Sequence, residues 1–272
     1  MAFLHVKGIK IHIQVWNETG EQTIVMLHGF TGSTNTWRTV AGMLPGFRIV
    51  AIDCIGHGRT ESPVDVSLYE MDNQVEVLEE ACRRLRLESF SLVGYSMGGR
   101  IALSYAVKYP DRVEKLILES ASPGLASEED RLARRRADNL QGDRIEEQGV
   151  ESFVDFWENI PLFASQKRLP EDVRAEIRNE RLQQNALGLA NSLRGMGTGM
   201  MPPLWGNLEK LPMPVVLITG QLDEKFVNIA REMTASLKKV RHLTVNDAGH
   251  AIHVENPSEF ATILKETISS YF

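Results

Sequence analysis

The sequence predicts an α/β fold built on a mostly parallel, eight-stranded sheet flanked by helices, with an inserted all-helical cap. Three observations predict it. Continuous apolar runs recur along the chain, helical patterns separate most of them, and the interval between Glu119 and Val215 contains no strand-like run. Residues 3–6 and 9–15 alternate apolar and polar side chains around Lys7-Gly8, the pattern of an antiparallel hairpin at a sheet edge. Residues 23–27 are continuously apolar, as in strands covered on both faces. Similar runs follow at 47–52, 90–93, 113–118, 215–219 and 242–245, with amphipathic patterns at 34–43, 74–87, 97–109 and 229–237 and a closing helix over 260–271. Strands alternating with helices give a parallel sheet. The interval after Glu119 is too long for a structureless connection, and helical patterns fill it at 131–140, 146–158, 170–184 and 186–194. The expected organisation is therefore a core of residues 1–120 and 206–272 and a helical cap of 121–205 lying over the carboxyl ends of the strands, where open α/β sheets bind ligands.

Composition narrows the function. With 43% hydrophobic and 24% charged residues, the 272-residue chain can bury a full core. A net charge of −6 argues against a nucleic-acid partner, so any anion site must be a local basic patch. Cys54 and Cys82 lie in no zinc or redox spacing, and the seven histidines are scattered, so neither a metal nor a cofactor is expected. No apolar stretch is long enough to span a bilayer, and a cytoplasmic location without stable membrane insertion is expected. Nothing in the sequence fixes an oligomeric state.

The chemistry centres on Gly94-Tyr95-Ser96-Met97-Gly98, which follows a strand and opens a helix. That context makes it a nucleophile elbow: a sharp turn with Ser96 at its tip, above helix N–H groups that favour negative charge. A serine needs an imidazole to take its proton and a carboxylate to orient that imidazole. In the serine, acid, histidine order of such sheets, Asp223 and His250, each just past a strand, fit best. Glu224, Asp247 and His253 are weaker rivals. His28 and His57 lie in loops at the same face, where each could touch substrate, with a loop-shaping role favoured for His28, and Asp53 is expected to bind loop backbone. The oxyanion hole should use the backbone N–H groups of Met97 and Phe30. Arg100, in the first turn after Ser96, can reach the pocket mouth, and the cap adds Arg131, Arg134, Arg135, Arg136, Arg174, Arg178 and Arg181. Guanidinium groups suit a substrate with several carboxylates. Consecutive helical residues cannot all face one way, so Arg134 to Arg136 as a set are expected to solvate the cap surface.

Four stretches together carry a family resemblance: Gly94-Tyr95-Ser96-Met97-Gly98-Gly99-Arg100, Glu119-Ser120-Ala121-Ser122-Pro123-Gly124-Leu125, Trp157-Glu158-Asn159-Ile160-Pro161-Leu162-Phe163 and Gly195-Met196-Gly197-Thr198-Gly199. With them the chain resembles the 2-succinyl-6-hydroxy-2,4-cyclohexadiene-1-carboxylate synthases of menaquinone biosynthesis, members of the α/β-hydrolase superfamily. The resemblance implies a lyase that removes pyruvate from 2-succinyl-5-enolpyruvyl-6-hydroxy-3-cyclohexene-1-carboxylate, a small-molecule tricarboxylate, and consumes no water. It implies substrate contacts at Arg100, Arg131 and Arg181, an aromatic at Trp157, and a contact or a packing role for Tyr95. The alternative is a carboxylesterase or carbon–carbon bond hydrolase with an acyl-serine intermediate.

Overall fold

A strand that is apolar on both faces is satisfied only between two layers of helices, and this requirement orders the molecule. The computed structural model describes residues 2–270. The expected helix end at Tyr271 and the chain ends at Met1 and Phe272 lie outside them.

β1 (Ala2–Val6) and β2 (Ile9–Trp16) form the antiparallel hairpin, turned at Lys7 and Gly8. β3 (Gln22–Leu27), α1 (Arg38–Gly42), β4 (Phe47–Ile52), α2 (Met71–Arg84), β5 (Phe90–Tyr95), α3 (Met97–Lys108) and β6 (Val113–Glu119) follow. Next come α4 (Glu128–Trp157), α5 (Glu171–Leu182) and α6 (Ala186–Met196). The chain closes with β7 (Val215–Gly220), α7 (Glu224–Thr234), β8 (Val240–Val245), α8 (Ile252–Glu255) and α9 (Pro257–Ser269). The sheet order is β1-β2-β4-β3-β5-β6-β7-β8. β1, β2 and β4 pair antiparallel, and every pair from β4 to β8 is parallel.

Side chains of successive strand residues go to opposite faces. Val25 and Leu27 of β3 join the apolar layer containing α2 and α3, whereas Ile24 and Met26 join the one containing α1 and α9. Continuous apolarity thus serves two cores at once. No helix among the described residues is long and apolar enough to cross a membrane.

The helices between β6 and β7 have an apolar cluster of their own. Ile145, Phe153 and Val154 of α4 pack with Leu189 and Leu193 of α6, and Phe30 from the core packs against them. α4 departs from expectation in one respect, because helix fills the interval between the two patterns and only Gly149 breaks it, at φ 81° and ψ 167°. A glycine adopts that conformation without steric cost. α6 lies directly on the core: a Cβ on Gly188 would stand 2.1 Å from the Gly56 carbonyl oxygen. Only a residue without a side chain permits that approach.

Candidate active site

Ser96 sits between β5 and α3 at φ 50° and ψ −105°, a backbone region that costs a side-chain-bearing residue about 1–3 kcal/mol. Its surroundings hold it there. The Ser96 N–H donates to the Glu119 carbonyl at 2.9 Å, and the Ser96 carbonyl accepts from the Arg100 N–H at 3.1 Å. The flanking glycines permit the close passage of α3: a Cβ on Gly94 would meet the Gly98 carbonyl oxygen at 2.4 Å, and one on Gly98 the Leu27 oxygen at 2.2 Å.

Two further turns at strand ends converge on this serine. His250, in the turn after β8, places Nε2 3.0 Å from Ser96 Oγ, and its Nδ1 stands 2.6 Å from Asp223 Oδ2. A carboxylate only accepts, so Nδ1 of the neutral ring carries the hydrogen and Nε2 is free to accept from the serine hydroxyl. Asp223 is also the N-cap of α7, with Oδ1 accepting from the Phe226 N–H at 3.4 Å, so the helix terminus favours its negative charge. The imidazole is held by rings, Phe226 at 4.6 Å and Tyr95 at 5.3 Å. Glu255 fixes its loop by accepting from the Gly249 and Ala251 N–H groups at 2.7 and 3.3 Å.

Backbone N–H groups complete the floor. Those of Phe30 and Met97 donate to no protein acceptor among the described residues, and Met97 opens α3. Above them lies a cavity of about 770 Å³ whose wall includes Ser96, His250, Phe30, Trp157, Arg100 and Arg134. Arg100 is half-buried, and among its described partners only Nη1 is engaged, donating to the Met196 carbonyl at 2.6 Å and approaching the Met201 sulfur. Burial, reinforced by the nearby Arg134 charge and opposed by Asp138, brings its pKa down to about 10. It remains cationic at neutral pH.

The cap arginines are arranged differently from the sequence expectation. Arg131 is not on the cavity wall: its Nη1 donates to the Leu125 and Ala126 carbonyls at 3.0 and 2.9 Å, and Nε to Glu128 at 3.0 Å. It staples the first turn of α4. Arg134, three residues on, faces the cavity instead, with Nε 2.8 Å from Asp138 Oδ1. Arg181 also misses the large cavity. It borders a separate pocket of about 50 Å³, lies 4.7 Å over the Phe163 ring and donates to Gln166 at 3.1 Å. α5 carries it to the base of the cap, and Phe163 borders both spaces. Trp157 lines the large cavity with its ring 5.5 Å from Phe30, and Tyr95 lines both spaces while its ring packs against His250 and His253.

The rival residues have structural partners. His253 Nδ1 bonds Glu119 at 2.9 Å, and its Nε2 meets Thr36 Oγ1 at 3.0 Å. His28 accepts from the Cys54 N–H at 3.0 Å and bonds the Gly29 carbonyl, and burial lowers its pKa. His57, likewise brought down by burial to about 3, bonds the Ile55 carbonyl, and neither ring is on the cavity wall. Asp53 accepts from the Thr34 and Arg59 N–H groups at 2.5 and 2.8 Å and from His12 at 2.7 Å. Among the described residues no group of three or more His, Cys, Asp or Glu side chains could hold a metal. Sequence reasoning missed Arg134 and Asp138 on this wall. The i, i+4 spacing of an arginine and an aspartate on one helix was the available signal.

Residues 22–257 match a family model described as the alpha/beta hydrolase fold. A Bacillus subtilis (strain 168) protein assigned as a 2-succinyl-6-hydroxy-2,4-cyclohexadiene-1-carboxylate synthase is 45% identical over 97% of this chain and 96% of its own length. The chain belongs to this synthase family. The Enterobacter sp. (strain 638) family member is 31% identical over 90% of this chain and 91% of its own. The solved structure of MenH from S. aureus, 35% identical, superposes with a TM-score of 0.91 and covers 94% of this chain and 97% of that one. The family model spans the helices between β6 and β7 as well as strands β3 to β8.

Proposed function

We propose that this chain eliminates pyruvate from 2-succinyl-5-enolpyruvyl-6-hydroxy-3-cyclohexene-1-carboxylate to give 2-succinyl-6-hydroxy-2,4-cyclohexadiene-1-carboxylate, as its named relatives imply. One observation carries the mechanism: the 3.0 Å contact between Ser96 Oγ and His250 Nε2 opens into the same cavity as the guanidinium groups of Arg100 and Arg134. A base and a grip for carboxylates share one space.

In this reading His250, oriented by Asp223, draws the proton from Ser96 as the serine oxygen removes the carbon-bound proton beside the succinyl ketone. The resulting enolate oxygen rests on the N–H groups of Phe30 and Met97, a contribution worth about 3 kcal/mol per donor. The electron pair moves through the ring double bond and expels enolpyruvate, which regains a proton from His250 and leaves as pyruvate. Arg100 and Arg134 hold substrate carboxylates, Trp157 and Tyr95 bound the ring, and residues 121–205 act as the lid. No covalent acyl-enzyme forms and no water is consumed.

A coupled pyruvate assay on the enolpyruvyl substrate, run beside a neutral ester, tests the proposal. Pyruvate release dependent on Ser96 is expected. Rapid ester hydrolysis with no pyruvate release would replace it with the acyl-serine reading.

A further inference from the structure

The wall that receives a polyanion in the reading above itself contains an acid. Asp138 lines the cavity, although its side chain is almost wholly buried. Its two oxygens are unequal. Oδ1 accepts from Arg134 Nε at 2.8 Å, whereas Oδ2 is shielded from solvent and has no hydrogen-bond donor among the described residues. Oδ2 packs against Gly197, where a Cβ would stand 2.3 Å from it. The backbone N–H of Gly197 donates to the Leu193 carbonyl at 3.1 Å and so is not offered to Oδ2. A buried carboxylate oxygen with no donor disfavours the ionised form and suits a protonated one.

The charged groups around Asp138 point the same way. Arg134 lies on its own helix and Arg100 comes from α3, while Lys225 and Glu232 of α7 and the titratable ring of His250 border the same cavity. Arg135 is turned to Glu128, and Arg194 of α6 to Asp143 and Glu146. Among the described residues Arg134 and Arg100 favour the ionised form, and burial outweighs both in raising the Asp138 carboxyl above its ordinary range. A ligand carboxylate docking on those guanidiniums consumes that support and adds a like charge.

We propose that Asp138 is a positioning residue that takes up one proton as a substrate carboxylate docks on Arg134 and Arg100. Oδ1 keeps its hold on Arg134 throughout, and the proton on Oδ2 removes the repulsion that an acid in this wall would exert. The proposal rests on the reading of the cavity as a carboxylate site. By linkage, ligand affinity falls as pH rises between the carboxyl's free and ligand-bound pKa values, by about tenfold per pH unit.

The test is the pH profile of KM for the enolpyruvyl substrate between pH 6 and 9, below the range in which Arg100 titrates. It is measured for wild type, Asp138→Asn, Asp138→Ala and Glu232→Gln. Wild type and Glu232→Gln should show KM rising with pH. Asp138→Asn, which retains an oxygen for Arg134 and mimics the neutral acid, should lose that slope with kcat within about twofold. Asp138→Ala, which frees Arg134, should raise KM at least tenfold at every pH. Calorimetry of substrate binding to Ser96→Ala, in two buffers of different ionisation heat, should count about one proton more than for the Ser96→Ala, Asp138→Asn double variant. His250 contributes equally to both. Identical pH profiles for wild type and Asp138→Asn, or an Asp138→Asn variant as impaired as Asp138→Ala, would overturn the proposal. If wild type releases no pyruvate, the functional reading fails instead. The proton count on binding tricarballylate, a non-reacting tricarboxylate, then tests Asp138 alone, and equal counts with and without Asp138→Asn overturn it.

Discussion

The floor of the cavity and its cap wall are built by different rules. On the floor, Ser96, Asp223 and His250 each sit within a few residues of a strand's carboxyl end, in turns pinned by backbone hydrogen bonds. On the cap wall, Arg134, Asp138 and Trp157 lie along one thirty-residue helix, and their directions follow from its phase and from the break at Gly149. On the proposed reading, chemistry is fixed locally, whereas recognition is fixed by how a long element packs.

The contrast can be broken most forcefully at the floor. Ser96→Ala should lower kcat for pyruvate release by about 10⁴-fold or more with little change in KM, since the whole unit depends on the serine oxygen. Normal turnover by that variant would remove the floor from the chemistry. Next comes the cap wall, where Arg134→Ala should cost about 1 kcal/mol of binding, or roughly fivefold in KM, because a partly exposed charge partner is lost. Arg131→Ala should leave KM within about twofold. Equal effects at the two positions would mean that the wall is assembled differently when substrate is bound. The junction of cap and core is tested by Gly188→Ala, whose Cβ would strike the Gly56 carbonyl oxygen and should lower stability by about 1–3 kcal/mol in thermal melts. The smallest effect is expected from pH at Arg100. Its pKa of about 10 leaves it charged up to about pH 9, so its contribution to KM stays constant there and weakens as pH rises through 10 and the charge is lost. An Arg100→Ala variant should lack that alkaline limb.

The same contrast explains what the sequence made legible. Strands β3 to β8 could be read from apolar runs because parallel strands buried on both faces leave no other pattern, and β1 and β2 from the alternation of an edge hairpin. The geometry joining Ser96, His250 and Asp223 could be anticipated because each follows a strand and the order of such residues around this sheet is constrained. Arg131 and Arg134 could not be separated in the same way. They are three residues apart on one helix, and the choice between them depends on Glu128 and the Leu125 and Ala126 carbonyls capturing Arg131. Treating Arg134, Arg135 and Arg136 as one set hid the single member that faces inward. Asp138 was legible only as the i+4 partner of Arg134, since nothing in a sequence announces that a helical aspartate is sealed against Gly197.

Gly149 divides the roof into two independently aimed pieces. The segment before it carries the guanidinium and carboxyl groups, and the segment after it carries Phe153 and Trp157. On the proposed reading, altering the second piece would re-sculpt the aromatic boundary while leaving the guanidinium groups of the first where they are, so ring selectivity and charge selectivity would be adjustable one at a time.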